Sequence, residues 1–254
     1  MRSGIVGAVA MAVLAGLAQS APAAEIKLLT TGAMKEVVLA VVQDFEKQTG
    51  HKVSVDNATA GVLSRRIRDG EPFDVTVNTP AMIDDLIRAG KIVAGSRIDL
   101  ARVGVGVAVK QGAPLPDIST LDAFKRTLIG ARAVAHGDPT GLGSSGIYVA
   151  AMLARIGVAD TIKSKTILVP GGLVAERVAT GQAEIGLHQI SEILAVKGVT
   201  LVGPLPAEIQ NYTTYSVGLG TAAKDADAAK ALIAALAAPN VEASLKGRGM
   251  ERAP

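Results

Sequence analysis

The 254-residue chain contains no cysteine and no tryptophan, and it has only three phenylalanines, three tyrosines and three histidines. Without cysteine there is no disulfide framework, no thiol nucleophile and no lipid-bearing cysteine. Too few aromatic rings are present for a sugar cleft built on stacking platforms, so a polar or charged ligand held by hydrogen bonds fits better. The formal net charge is +3 and no run of Lys and Arg is interleaved with aromatics, which excludes nucleic acid as an expected partner. No P-loop, no H-E-x-x-H and no Cys/His cluster occurs, so neither a metal nor another cofactor is implied. Gly143-Ser144-Ser145-Gly146 lacks the spacing of a nucleophile elbow.

What is present begins with an apolar stretch. Arg2 precedes Ile5 to Leu17, and Ala21-Pro22-Ala23 follows as a small-residue cleavage site. Residues 1–23 therefore read as a cleaved export signal, and the chain is expected in the periplasm as a monomer. No other segment is long and apolar enough to span a bilayer.

After the signal, strand-like runs alternate with helical periods. Strands are expected at Glu25–Thr31, His51–Asp56 and Phe73–Asn78, with helices at Lys35–Thr49, about Thr59–Arg68 and Pro80–Ala89. Gly50 suits the left-handed position that ends the first helix. Arg102–Val109 reads as a strand interrupted by Gly104 and Gly106, a connector between two lobes. A second α/β unit follows, with strands at Ala131–Ala135, Thr166–Val169 and Glu184–Gln189. Its helices are Leu121–Ile129, Ser145–Ile156 and Leu173–Thr180. Val199–Pro206 and Tyr215–Gly220 offer a return crossing, and Ala228–Ala238 is an alanine-rich helix. The expectation is a two-lobed α/β protein, each lobe a mainly parallel sheet flanked by helices. Residues 24–103 form lobe I, 104–205 lobe II, and 206–254 return to lobe I. A ligand cleft is expected between them, at strand carboxyl ends and helix N-termini.

The most informative segment is Asp138-Pro139-Thr140-Gly141-Leu142-Gly143-Ser144-Ser145-Gly146-Ile147-Tyr148, which links a strand to a helix. A turn rich in Gly and Ser there presents backbone N–H groups and hydroxyls at the positive end of a helix, which suits an anion. Thr30-Thr31-Gly32-Ala33 and Asn57-Ala58-Thr59-Ala60-Gly61 are two further turns of this kind. Thr31, Thr59 and Ser145 suit ordinary helix caps equally well. The candidate ligand contacts are Thr31, Gly32, Thr59, Gly61, Ser144, Ser145, Gly146, Tyr148, Gln189 and Ser191, the last two from Gly186-Leu187-His188-Gln189-Ile190-Ser191-Glu192. Asp138, Glu176 and Glu192 are the acids near the expected cleft, with Asp138 suited to fixing its own turn. Arg65 and Arg66 face either the ligand or solvent. His188 and His136 are the candidates for proton transfer, should the protein be an enzyme.

These residues, in order, resemble the molybdate-binding-like periplasmic solute-binding proteins of ABC transporters. The resemblance rests on Thr30–Met34, on Thr59–Ile67 with Gly70-Glu71-Pro72-Phe73-Asp74-Val75 after it, on Gly137-Asp138-Pro139 with Ser145–Tyr148, and on Glu184–Gly186 with Ser191-Glu192. It implies a type II-like periplasmic binding fold that closes on a small anionic ligand and delivers it to an inner-membrane permease. It also implies departures from molybdate binders. Ala33 and Ala60 stand where that group has serines, and its late tyrosine is replaced near Gln189. At about 1–3 kcal/mol for each bond left unmade, molybdate would bind poorly and a small organic carboxylate better. The divergent pattern, with Gln189-Ile190-Ser191-Glu192, is also similar to periplasmic aconitate isomerases. That similarity implies proton transfer within a tricarboxylate.

Overall fold

A computed structural model describes residues 23–254; residues 1–22, which carry the expected export signal up to its last position, lie outside the described residues. Strand and helix alternate from the start: β1 (Glu25–Thr31), α1 (Lys35–Thr49), β2 (Lys52–Ala58), α2 (Ala60–Arg68), β3 (Val75–Asn78) and α3 (Pro80–Arg88). The long strand β4 (Ile98–Lys110) follows, then α4 (Leu121–Gly130), β5 (Val134–Gly137), α5 (Ser144–Arg155), α6 (Ala159–Ile162), β6 (Thr166–Val169) and α7 (Ala175–Ala179). The chain finishes with β7 (Ile185–Gln189), α8 (Ile190–Leu194), β8 (Val199–Pro204), β9 (Tyr212–Leu219), α9 (Ala226–Ala237), α10 (Glu242–Gly247) and β10 (Met250–Arg252).

The strands run in the order β2-β1-β3-β9-β4-β7-β5-β6, with β8 and β10 both added to β4. β1 pairs in parallel with β2 and β3, and β5 with β6 and β7, as strand–helix alternation predicts. The middle differs. β9 lies antiparallel to β3 and β4, and β4 lies antiparallel to β7 and β8, because these strands carry the chain between the lobes.

β4 is one continuous strand. Its first half, Ile98–Gly104, pairs with β9, and Val105–Ala108 pairs with β7. Gly104 and Gly106 do not interrupt it; they admit neighbours. A Cβ on Gly106 would meet Ile190 at 2.7 Å and Leu201 at 2.9 Å, and one on Gly104 would meet the Gln210 amide at 3.1 Å. The Gln210 side chain accepts from the Val105 N–H at 3.0 Å and donates to its carbonyl at 2.9 Å. The second crossing is thereby clipped to the first where the lobes meet.

Each lobe buries apolar layers on both faces of its strands. In lobe I, Val37, Val38 and Val42 of α1 and Leu232 and Leu236 of α9 cover one face. Leu63 and Ile67 of α2 with Ile83 and Leu86 of α3 cover the other. In lobe II, Phe124, Leu128, Val149 and Met152 form one layer, and Val174 and Val178 pack with Ala135 in the second. Gly50 ends α1 at a φ of 76°, the left-handed cap its position predicts. Among the described residues no single helix is long and apolar enough to cross a membrane.

Candidate functional site

The carboxyl ends of β1, β2 and β5 all lead into helices that face one cleft between the lobes. The cleft encloses a cavity of about 540 Å³. Thr31, Gly32 and Ala33 line it from the first turn, Asn57 to Ala60 from the second, and Gly143 to Gly146 from the third. Pro170 to Leu173 and Glu176 close another side, and His188, Glu192 and Tyr215 complete the wall.

The hydroxyls of the three turns have separate fates. Neither Thr31 nor Thr59 caps its helix with its side chain. Thr31 is 3% exposed, and its Oγ1 is buried without any hydrogen-bond partner. Buried polar atoms are nearly always paired, and Thr31 lines the cavity, which makes its unpaired hydroxyl a candidate ligand contact. Thr59 instead donates to the Gly141 carbonyl across the cleft at 2.7 Å. Next to it, the Gly61 N–H donates to the Leu142 carbonyl at 3.1 Å. Gly61 lies outside the cavity wall, and its Cβ would stand 2.6 Å from Leu142. The second turn therefore spends its hydroxyl and an N–H on the opposite lobe. Leu142 has a φ of 58°, the one non-glycine residue among the described residues in the left-handed region.

The third turn presents a helix start to the cavity. α5 starts after Gly143 with no side-chain cap, so its first amides have no acceptor inside the helix. Ser144, Ser145 and Gly146 line the cavity there. Asp138 fixes the preceding turn, accepting from Thr140 N–H at 2.8 Å and from its hydroxyl at 2.7 Å. Gly146 is needed for packing, since its Cβ would lie 2.9 Å from the Gly137 carbonyl group.

Other expected contacts lie behind the wall or away from it. Tyr148 does not line the cavity; its hydroxyl donates to the Ile209 carbonyl at 2.6 Å. Gln189 is 1% exposed and also absent from the wall. Its Nε2, with two N–H donors, lies 3.0 Å from Tyr215 OH, 3.2 Å from Thr213 Oγ1 and 3.3 Å from Ser144 Oγ, so it stands behind Ser144. Ser191 belongs to α8, where its buried Oγ has no partner and does not line the cavity. The strand expected to present it ends at Gln189, and the helical turn that follows rotates it inward. His136 is likewise off the wall, with Nδ1 2.8 Å from the Gly137 carbonyl, and burial lowers its pKa. Arg66 is engaged with Glu71 and Asp56, and neither it nor Arg65 lines the cavity.

Tyr215, not singled out by sequence reasoning, enters from β9 about seventy positions after Ser144. Its hydroxyl lies 3.5 Å from Ser144 Oγ, and burial raises its pKa. The one available sequence signal is a tyrosine amid an apolar strand in a chain with only three.

His188 and Glu192 stand together in the wall. The His188 Nε2 lies 3.4 Å from Glu192 Oε2, with side chains 7% and 12% exposed. Burial pushes the Glu192 carboxyl up to about 8 and the His188 imidazole down to about 4. Both shifts leave the pair uncharged at neutral pH, with its proton on the carboxyl. Lys35 is the one Lys or Arg on the cavity wall among the described residues.

A cleft with helix N-termini, free hydroxyls and two crossing strands is the arrangement of a solute-binding protein, and residues 26–251 match the family model described as bacterial extracellular solute-binding protein. The chain belongs to this family. Two relatives bracket it. The aconitate isomerase of a Pseudomonas species is 32% identical over 239 residues, covering 92% of this chain and 90% of that one. The molybdate-binding protein ModA of Azotobacter vinelandii is 30% identical over 252 residues, covering 92% of each. The solved A. vinelandii periplasmic molybdate-binding protein superposes with a TM-score of 0.75 at 19% identity, over 89% of this chain and 98% of that one. The solute-binding fold is therefore that of the periplasmic binding proteins, as the ordered turns of the sequence imply.

Proposed function

We propose that this protein binds a small organic anion bearing carboxylates between its lobes and hands it to an ABC permease in the inner membrane. The observation that carries this reading is the unpartnered, buried Thr31 Oγ1, which shares a cavity wall with the free amides of α5. A cavity of about 540 Å³ is far larger than one tetrahedral oxyanion fills and falls within the range of small-molecule sites. Ala33 and Ala60 contribute methyl groups to that wall, where serine hydroxyls would favour molybdate. Lobe closure about β4 and Gln210 would complete the site, with each lobe supplying bonds that only the closed form makes. We assign it to the periplasm, as a monomer, on the family and on the apolar stretch Ile5–Leu17.

The test is a thermal-shift panel with molybdate, tungstate, sulfate, phosphate and di- and tricarboxylates, including both aconitate isomers. A ligand at about 100 times its Kd adds about 2.7 kcal/mol of stability. Shifts with carboxylates support the reading, and a response to molybdate and tungstate alone overturns it.

A second reading is an enzyme that moves a double bond within a tricarboxylate, as the name of the Pseudomonas relative describes. The specific observation favouring it is the His188–Glu192 pair, since holding an anion requires no buried acid beside it. Incubating the protein with trans-aconitate and following the cis isomer tests it directly. Stable binding without conversion rejects the enzyme and leaves the carrier.

A further inference from the structure

Glu192 reaches into the cavity from the first turn of α8, one of four acids on the wall. Asp138 is occupied by its own turn, Glu36 lies 3.4 Å from Arg248, and Glu176 is exposed on α7. Glu192 is different. Among the described residues no Lys or Arg nitrogen comes within 4 Å of it, and its ion-pair partner is His188 alone. Its other oxygen rests against the first turn, where a Cβ on Gly32 would stand only 2.6 Å from Oε1. An ionised carboxylate so placed would repel a polyanionic ligand, whereas a carboxyl sharing a proton with a histidine would not. The arrangement thus suits a group that gives and takes a proton beside the ligand.

Resting on the isomerase reading above, we infer that Glu192 is the catalytic acid–base of this chain, and that His188 is a positioning residue that holds the proton in exchange. The proton on the pair moves to His188 Nε2, leaving a carboxylate. Glu192 then removes a proton from the substrate methylene next to the carboxylated alkene carbon. The C–H electron pair spreads over the three-carbon unit and its carboxylate, and the double bond moves by one position. Glu192 returns the proton to the far carbon of that unit. Substrate and product have one formula, and nothing is oxidised, reduced or hydrolysed. The amides of α5 and the hydroxyls of Ser144 and Thr31 are placed to hold the carboxylates as charge develops. Besides His188 of β7, the titratable groups on the same cavity wall are Tyr215 of β9, Lys35 and Glu36 of α1, Asp138 before α5 and Glu176 of α7.

The experiment incubates the full chain with trans-aconitate in D₂O and follows both isomers and deuterium incorporation by proton NMR, with binding measured by calorimetry. Glu192→Gln is expected to bind trans-aconitate within about threefold of wild type while turnover falls at least a hundredfold, the usual reach of acid–base catalysis. Gly32→Ala, which keeps the carboxylate but forces it aside, is expected to lower kcat more than it raises KM. His188→Gln is expected to retain measurable turnover while shifting the pH profile of kcat. Wild-type turnover persisting in a folded Glu192→Gln overturns the assignment of Glu192 and leaves the isomerase reading intact. If Glu192→Gln does not fold, wild-type rates in both Glu192→Asp and Gly32→Ala overturn it instead. A wild-type protein that neither converts nor exchanges trans-aconitate overturns the isomerase reading, and this inference with it.

Discussion

Thr59 donates its hydroxyl to the carbonyl of Gly141 at 2.7 Å, and that bond joins the two lobes across the cleft. The residue sits where a helix cap is expected, but its side chain makes no cap bond. With the Gly61 N–H donating to the Leu142 carbonyl alongside, it ties α2 to the turn before α5.

Thr59→Val is therefore expected to weaken ligand binding and leave the lobes themselves intact. Loss of one neutral hydrogen bond is worth about 1 kcal/mol, or roughly fivefold in Kd. Calorimetry with the best ligand of the thermal-shift panel measures this. An unchanged Kd would mean that the contact does not contribute to closure.

Thr31→Val separates ligand binding from folding. The Thr31 hydroxyl has no partner in the protein, so an apolar isostere on this strand residue should leave the unliganded Tm unchanged or slightly higher. Binding of an anion should lose about 1.5–3 kcal/mol, roughly tenfold to a hundredfold in Kd. A fall in unliganded Tm with no change in Kd would refute the assignment.

Gly146→Ala should act in the opposite way, through the fold. The added methyl would meet the Gly137 backbone at 2.9 Å, where neither the strand end nor the helix start can give way cheaply. Overpacking of this kind costs about 1–3 kcal/mol. At roughly 2–4 °C of Tm per kcal/mol for a chain of this size, a loss of several degrees is expected by calorimetric scanning.

The pH dependence of stability follows from Glu192. Its carboxyl keeps its proton up to about pH 8 in the folded protein, against an ordinary value of 4.5. Between those limits the folded state binds the proton that the unfolded state has released, so raising the pH favours unfolding. His188, pushed down to about 4, works in the opposite sense below its ordinary value of 6.5, and the two largely cancel between about pH 4.5 and 6.5. Wild type should therefore lose stability from about pH 6.5 to 8, and its stability relative to Glu192→Gln should decline over the whole range from about 4.5 to 8. Parallel melting curves of the two proteins across this range would refute the burial argument.

Much of the architecture is readable along the chain. β1, α1 and β6 have the bounds that residue pattern implies, because each is bracketed by its own punctuation, such as Gly50 after α1. The site is legible only in part. The turns at Thr31 and Ser144 stand on the cavity wall, since a strand leading into a helix N-terminus announces itself locally. Gln189 and Ser191 were expected to contact the ligand but sit behind the wall, because a turn of helix that their local pattern does not announce begins at Ile190.

The sequence by itself determined the alternation of elements, the lack of any thiol, and the Gly/Ser turn at a helix start. Each of these depends on residues within one or two turns of one another. Tertiary structure alone decided which hydroxyl-bearing residues line the cavity and which hydroxyls join the lobes. It also brought Tyr215 beside Ser144, and turned Glu192 of α8 against Gly32 of the first turn. Those pairings join residues some seventy to one hundred and sixty positions apart. They arise because β4 and β9 run antiparallel between two packed cores, a relationship that no local pattern encodes.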